Sequence, residues 1–317
     1  MSEWKLKRDT TFRKQLFTSD SFVHPAKMDA QLLLRIVETY TKPGDIIADV
    51  MAGSGTTMLA CTIGRHVILV ELEEKYCKMM EANWEKVKMM PQLGYEMGEC
   101  QIIQDDARQL EELLVDTVIN CICSSPPYEG IEARDRSKEG WWDEEREKKF
   151  SGGSAKIAKG YQADHIITSP PYENQIHKGS GEWSKSSEGR LIGGSDSLGG
   201  KMLGVPQGED YIKSQDNIGN LKSTSYLEAM ALVYAECWKC LRPQGLMILV
   251  VKNFIRDKKE VDLRGDTVKL CEKAGFIYIE EHHRILPSQS FWRVIYAQRF
   301  PLAPKIDREF VLIFRKE

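Results

Sequence analysis

Short apolar runs alternate with amphipathic stretches along most of the chain, and the two periods separate cleanly. Runs of strand length fall at 46–50, 67–72, 101–104, 118–123, 246–251, 277–281 and 310–314. Helical spacing of apolar residues predicts helices over 29–40, 57–63, 74–88, 107–114, 226–241 and 267–274. Strands that are apolar on both faces and separated by helices predict a mostly parallel α/β sheet covered on both sides. Pro243 and Gly245 are expected to end one helix before the strand at 246. No helix separates the last two strands, so these are expected to be antiparallel neighbours.

The alternation stops between 129 and 224. Of the 24 glycines, 15 lie between Gly130 and Gly219, many in Ser-Gly clusters. That stretch reads as a loop-rich insertion, far longer than an ordinary connection and of a kind that usually binds or covers something. The expected division is therefore 1–128 for the first half of the sheet domain, 129–224 for the insertion, and 225–317 for the second half.

Composition removes some classes. Hydrophobic residues make up 42% of the 317 residues, too many for a disordered chain. No apolar run reaches the roughly 18 residues of a membrane span, and no apolar leader follows Met1. The eight cysteines lack the spacing of a disulfide framework, so a reduced, cytoplasmic setting is expected. Cys237 and Cys240 form a C-x-x-C on a predicted helix with no second pair at finger-like spacing, and no metal is expected. A net charge of −3 argues against a surface coated for gripping nucleic acid.

Chemistry is concentrated at the strand ends. Asp49, Met51, Ala52, Gly53, Ser54, Gly55, Thr56 and Thr57 follow the first strand and open a helix, a turn whose glycines admit a close ligand. The turn has no lysine after Gly55, as a P-loop requires, and Met58 stands where a dinucleotide fingerprint has its third glycine. Glu71 ends the second strand, where a carboxylate can hold ribose hydroxyls. Asp106, followed by Ala107, ends the third strand and can accept from an adenine amine. Ser125-Pro126-Pro127-Tyr128 ends the fourth. Its prolines leave rigid carbonyl acceptors beside a hydroxyl and an aromatic face, suited to a flat heterocycle with an exocyclic amine.

These motifs resemble the amino-methyltransferases of DNA, which methylate cytosine N4 or adenine N6 with S-adenosylmethionine. The glycine motif stands as D-V-M-A-G-S-G-T-T and the catalytic motif as S-P-P-Y. His24-Pro25-Ala26-Lys27-Met28 resembles the family's H-P-x-K-P stretch at the cofactor's methionine end, with methionine in place of the last proline. The resemblance covers 22–128 and, more loosely, 226–315. It implies a class I methyltransferase (Rossmann-like) fold with seven strands, the last-formed antiparallel. It also implies that His24, Pro25 and Lys27 join the glycine turn, Glu71, Asp106 and Ala107 around the cofactor. Ser125, Pro126, Pro127 and Tyr128 would then hold a flipped base, and the insertion would recognise the target. Serine at the first motif position favours cytosine N4; adenine N6 and a catalytically silent binding protein stay open as alternatives. DNA is the expected partner, a cognate nuclease is open, and oligomeric state is not readable.

The motif occurs twice: Ser169-Pro170-Pro171-Tyr172 repeats it 44 residues later. The first copy follows the more apolar run and is the preferred catalytic one. Two segments are basic despite the overall balance, each with a net +3: residues 1–14, and residues 287–308, where Arg293 and Arg299 interleave with Phe291 and Trp292. Such interleaving suits phosphate contact and base stacking, so these four residues are expected to bind DNA.

Overall fold

A computed structural model describes residues 2–7, 9–22, 27–114, 117–127, 218, 221, 223–256, 259–287, 301–302 and 304–317. The order is β1 (Ser2–Lys5), α1 (Thr10–Leu16), α2 (Ala30–Tyr40), β2 (Ile46–Asp49), β3 (His66–Glu71), α3 (Glu74–Val87), β4 (Cys100–Gln104), α4 (Leu110–Leu113) and β5 (Ile119–Ser124). Beyond Pro127 the described order continues with α5 (Ser223–Cys240), which includes the last two residues of the expected insertion, β6 (Leu241–Val251), β7 (Phe254–Arg256), β8 (Lys259–Val261), α6 (Leu263–Lys273), β9 (Phe276–Ile285) and β10 (Arg308–Lys316).

Eight strands form one sheet in the order β4-β3-β2-β5-β6-β10-β9-β1. Strands β2 to β6 are parallel to their neighbours, while β10 is antiparallel to both β6 and β9. The chain steps outward from β2 through β3 to β4, then jumps back to β5 on the other side of β2. Open α/β sheets bind ligands in the crevice outside the carboxyl ends of the strands at such a reversal. All seven predicted strands are present and the last is antiparallel, as expected. The expected total was short by one, because β1 adds an eighth strand, parallel to β9 with Ser2 opposite His282 and Lys5 opposite Ile285.

Alternation along the strands divides the core into two layers. Ala48, Ile68, Ile122, Met247, Leu249 and Leu312 face one side, with α5 residues Met230, Val233 and Tyr234 in the same cluster. Ile47, Val67, Cys121, Cys123, Ile248 and Val311 face the other, with Leu33, Ile36 and Met80 from α2 and α3. Each fully buried aliphatic side chain contributes about 2 kcal/mol of transfer free energy. Asp29 caps α2 by accepting from the amides of Gln31 (2.9 Å) and Leu32 (3.0 Å).

Local differences have local causes. The predicted helix over 57–63 is 3₁₀ (Thr56–Ile63), tightened between two left-handed glycines, Gly55 and Gly64. Strand β6 starts at Leu241, directly after α5, and the turn signal lies inside it, where Gln244 adopts φ 60°. The β7–β8 hairpin was not foreseen; its strands are three residues each, too short for a periodic signal. Among the described residues no helix is long and apolar enough to cross a membrane.

Candidate functional site

The loop after β2 and the turn after β5 sit side by side at the reversal, and one cleft of about 910 Å³, including its open mouth, takes in both. Its walls bring together Lys27, Asp49, the glycine turn, Glu71, Asp106 and Ala107 with Ser125 and Pro127. The sequence motifs therefore meet in space although they span some 100 residues. Candidates His24, Pro25 and Tyr128, the second motif copy (Ser169 to Tyr172), and Phe291, Trp292, Arg293 and Arg299 lie outside the described residues.

The glycine turn is built by its backbone. Gly53 and Gly55 have φ of 54° and 74°, the left-handed region that side chains resist. A Cβ on Gly55 would lie 2.7 Å from the Met80 side chain. Asp49, buried at the end of β2, accepts from the Thr57 hydroxyl at 2.5 Å and the Met51 amide at 3.3 Å, tying both ends of the turn together. Burial raises its pKa, opposed by the hydroxyls of Thr57 and Ser124 and by the Met51 amide. Glu71 reaches the turn from β3: one oxygen accepts from the Gly53 amide at 2.8 Å, the other from the Glu73 amide at 3.0 Å. Burial raises the Glu71 pKa, and those two amides pull against it.

Asp106 caps the short 3₁₀ turn Ala107–Gln109 through the Arg108 amide (2.9 Å), and the Arg108 guanidinium grips both its oxygens. Burial raises the Asp106 pKa, but the hydrogen bonds and charge of Arg108 outweigh it and the net shift is downward. Asp106 is thus held ionised, as an acceptor at the cleft wall. Its neighbour Asp105 accepts from the Asp106 amide at 2.7 Å.

Lys27 lines the same cleft. Burial and the neighbouring charge of Arg13 push the Lys27 pKa down to about 7, with Asp9 pulling upward. Ser54, on the turn, has a buried hydroxyl without a hydrogen-bond partner. A buried donor left open in a cleft that a lysine also lines fits a ligand carrying a carboxylate, and carboxylate acceptors along the wall fit hydroxyls and an amine. That donor set is compatible with the S-adenosylmethionine expected from the sequence.

At the target end, the Ser125 hydroxyl donates to the Val250 carbonyl on β6 at 3.3 Å. Donation in that direction leaves the oxygen lone pairs available as acceptors. The Pro127 carbonyl accepts from the Tyr226 hydroxyl at 2.7 Å.

Several residues of the site escape the sequence reading. Arg13, 3% exposed, donates to Asp9 (3.2 Å), to the Thr56 hydroxyl (3.1 Å) and to the Met28 carbonyl. Arg13 is one of the basic residues of 1–14, but its guanidinium is spent internally, bracing the glycine turn. Asn83, fully buried on α3, donates to the Ser54 carbonyl (3.2 Å) and accepts from Thr18. Its signal was legible, since a polar residue interrupts the apolar stripe Tyr76, Met80, Val87. Arg13 left no such sign.

With that geometry in place, known proteins can be set beside the chain. Residues 3–82 match the DNA methylase family. The likeness is to the DNA amino-methyltransferases. S-adenosylmethionine is the cofactor that this likeness implies, and the mostly parallel sheet with an antiparallel last strand agrees with the fold expected from the sequence. The type II methyltransferase M.HinfI of Haemophilus influenzae is 28% identical over 110 residues, 32% of this chain and 31% of that protein. The type II methyltransferase M2.DpnII of Streptococcus pneumoniae is 40% identical over 63 residues, 20% of this chain and 24% of that protein. The matches thus span a third or less of each relative. A solved SAM-dependent methyltransferase from Methanosarcina mazei aligns over 89% of this chain and 96% of its own, at 10% identity and a TM-score of 0.43.

Proposed function

We propose that the protein transfers a methyl group from S-adenosylmethionine to an exocyclic amine of a flipped base in DNA, with cytosine N4 preferred over adenine N6. The observation that carries this reading is the convergence of the two motifs: Ser125 and Pro127 line the same cleft as Asp49, Glu71 and Asp106. The first copy of the S-P-P-Y motif is the one assigned to catalysis, because it follows β5, the strand at the reversal beside the glycine turn.

The bound cofactor would supply an electrophilic methyl on sulfur. The chain's part is positioning and charge. The Ser125 oxygen and the Pro126 carbonyl would accept the two amine hydrogens and favour a pyramidal nitrogen, freeing its lone pair. The freed lone pair would receive that methyl, and the nitrogen would give up one proton to solvent. A base inside a duplex cannot reach such a cleft, so it must be extruded, with Tyr128 proposed to stack on it. Serine, rather than a carboxylate or carboxamide, at the first motif position favours cytosine.

The test is expression in a host free of DNA methylation, followed by enzymatic digestion and mass spectrometry of the nucleosides. N4-methylcytosine is expected. N6-methyladenine would overturn the base assignment alone. Unmodified DNA, from protein that binds cofactor, would overturn the enzymatic reading.

A further inference from the structure

We propose that Tyr226, at the start of α5, is a positioning residue for methyl transfer: its hydroxyl holds the Ser125–Pro127 turn where the target amine must meet it. The inference rests on the reading of that turn as catalytic.

Two consecutive prolines carry no N–H, so neither Pro126 nor Pro127 can be fixed by donating from its own amide. Strand β5 ends at Ser124, and the ladder gives the turn no further support. Orientation must come from groups that reach in from other elements. Two side-chain hydrogen bonds do so from opposite ends. Ser125 donates into β6 through the Val250 carbonyl, and Tyr226 donates from α5 into the Pro127 carbonyl at 2.7 Å.

Tyr226 is well placed to act as a fixed point. Its side chain is 1% exposed, in the core cluster that also holds Met230, Val251 and Phe254. A ring packed in this way has little freedom, so its hydroxyl transmits the position of α5 to the turn. The contact also bridges the insertion, since it joins residues 99 apart. Ile218, just before α5, lines the same cleft. Ile218 thus stands at the cleft wall eight residues before Tyr226 ties α5 to the turn.

The expected consequence is on rate rather than on cofactor binding. In-line transfer depends on sub-ångström placement of the reacting atoms, and a misplacement of about 1 Å costs on the order of 10²-fold. The Tyr226 hydroxyl donates to the turn, whereas the glycine turn, Glu71 and Asp106 are held through the Gly53 amide, the Asp49–Thr57 pair and the Arg108 amide. Tyr226→Phe removes one oxygen and keeps the ring that fills the core.

The experiment is single-turnover methyl transfer to DNA at saturating cofactor and DNA, with rates referred to the fraction of protein that binds cofactor. That reference keeps partial misfolding out of the result. Tyr226→Phe is expected to slow the chemical step about 10- to 100-fold while leaving cofactor Kd and the KM for DNA near wild type. A wild-type rate per cofactor-bound molecule overturns the inference, as does a loss confined to KM or to cofactor Kd. Ser125→Ala, run in parallel, separates the two levels. If Ser125→Ala transfers normally, the catalytic reading of the turn fails. If Ser125→Ala is inactive while Tyr226→Phe is at full rate, only the role of Tyr226 falls.

Discussion

The Arg13 guanidinium donates to the Thr56 hydroxyl at 3.1 Å, so a helix near the start of the chain braces the first residue after the glycine turn. The same group holds Asp9 and the Met28 carbonyl, all buried or nearly so. Replacing Arg13 by methionine leaves the Asp9 carboxylate without its ion-pair partner, at a cost of about 3 kcal/mol. The expected outcome is a lower urea midpoint together with at least tenfold weaker cofactor binding by calorimetry. Weakened binding without any loss of stability would contradict the bracing role.

Lys27 is expected to give cofactor affinity a pH dependence. Its pKa in the free protein is about 7, and a ligand carboxylate beside it raises that value. The charged form binds better, so affinity is highest below pH 7. It declines as pH rises through 7 towards the bound-state pKa, by up to about tenfold per unit. Calorimetry between pH 6 and 9 should show this slope in the wild type and its disappearance in Lys27→Met.

Gly55 is expected to tolerate no side chain. Alanine there meets both a φ of 74° and the Met80 side chain at 2.7 Å. Strain and overpacking together cost about 2–4 kcal/mol. Gly55→Ala should therefore unfold at markedly lower temperature, as thermal denaturation would show.

The duplicated motif separates by mutation. Ser125→Ala should reduce methyl transfer on the order of 10²-fold or more with cofactor affinity intact, whereas Ser169→Ala should stay close to wild type. The reverse pattern would move the catalytic assignment to the second copy.

Arg293 and Arg299 are expected to neutralise DNA phosphates. Replacing both by glutamine should weaken DNA binding and reduce the slope of log K against log salt by about 2. An unchanged slope removes them from the interface.

Much of the fold was legible because it rests on period and punctuation. Asp29 heads α2 as a capping aspartate should, and the Ile47/Ala48 alternation assigns facing residues to opposite layers. Strand β1 was not legible, since its only buried side chain is Trp4, whose partner His282 lies 278 residues away, stacked at 4.5 Å. At the site, residue type together with position at a strand end was enough to place Asp49, Glu71, Asp106 and Ser125 in one cleft. The bracing residues were not readable in the same way. The contacts of Arg13 with Thr56 and Met28, and of Tyr226 with Pro127, join residues far apart in the chain and leave no periodic trace in it.

The eighth strand also sets an order of assembly. Residues 2–5 have no place in the sheet until residues 282–285 are present to receive them, and closing so long a loop is slow. Arg13 and Thr56 are only 43 residues apart, so the brace on the glycine turn can form early in synthesis. The cofactor half can thus be set up from nearby parts long before the chain's first strand finds its seat at the far edge.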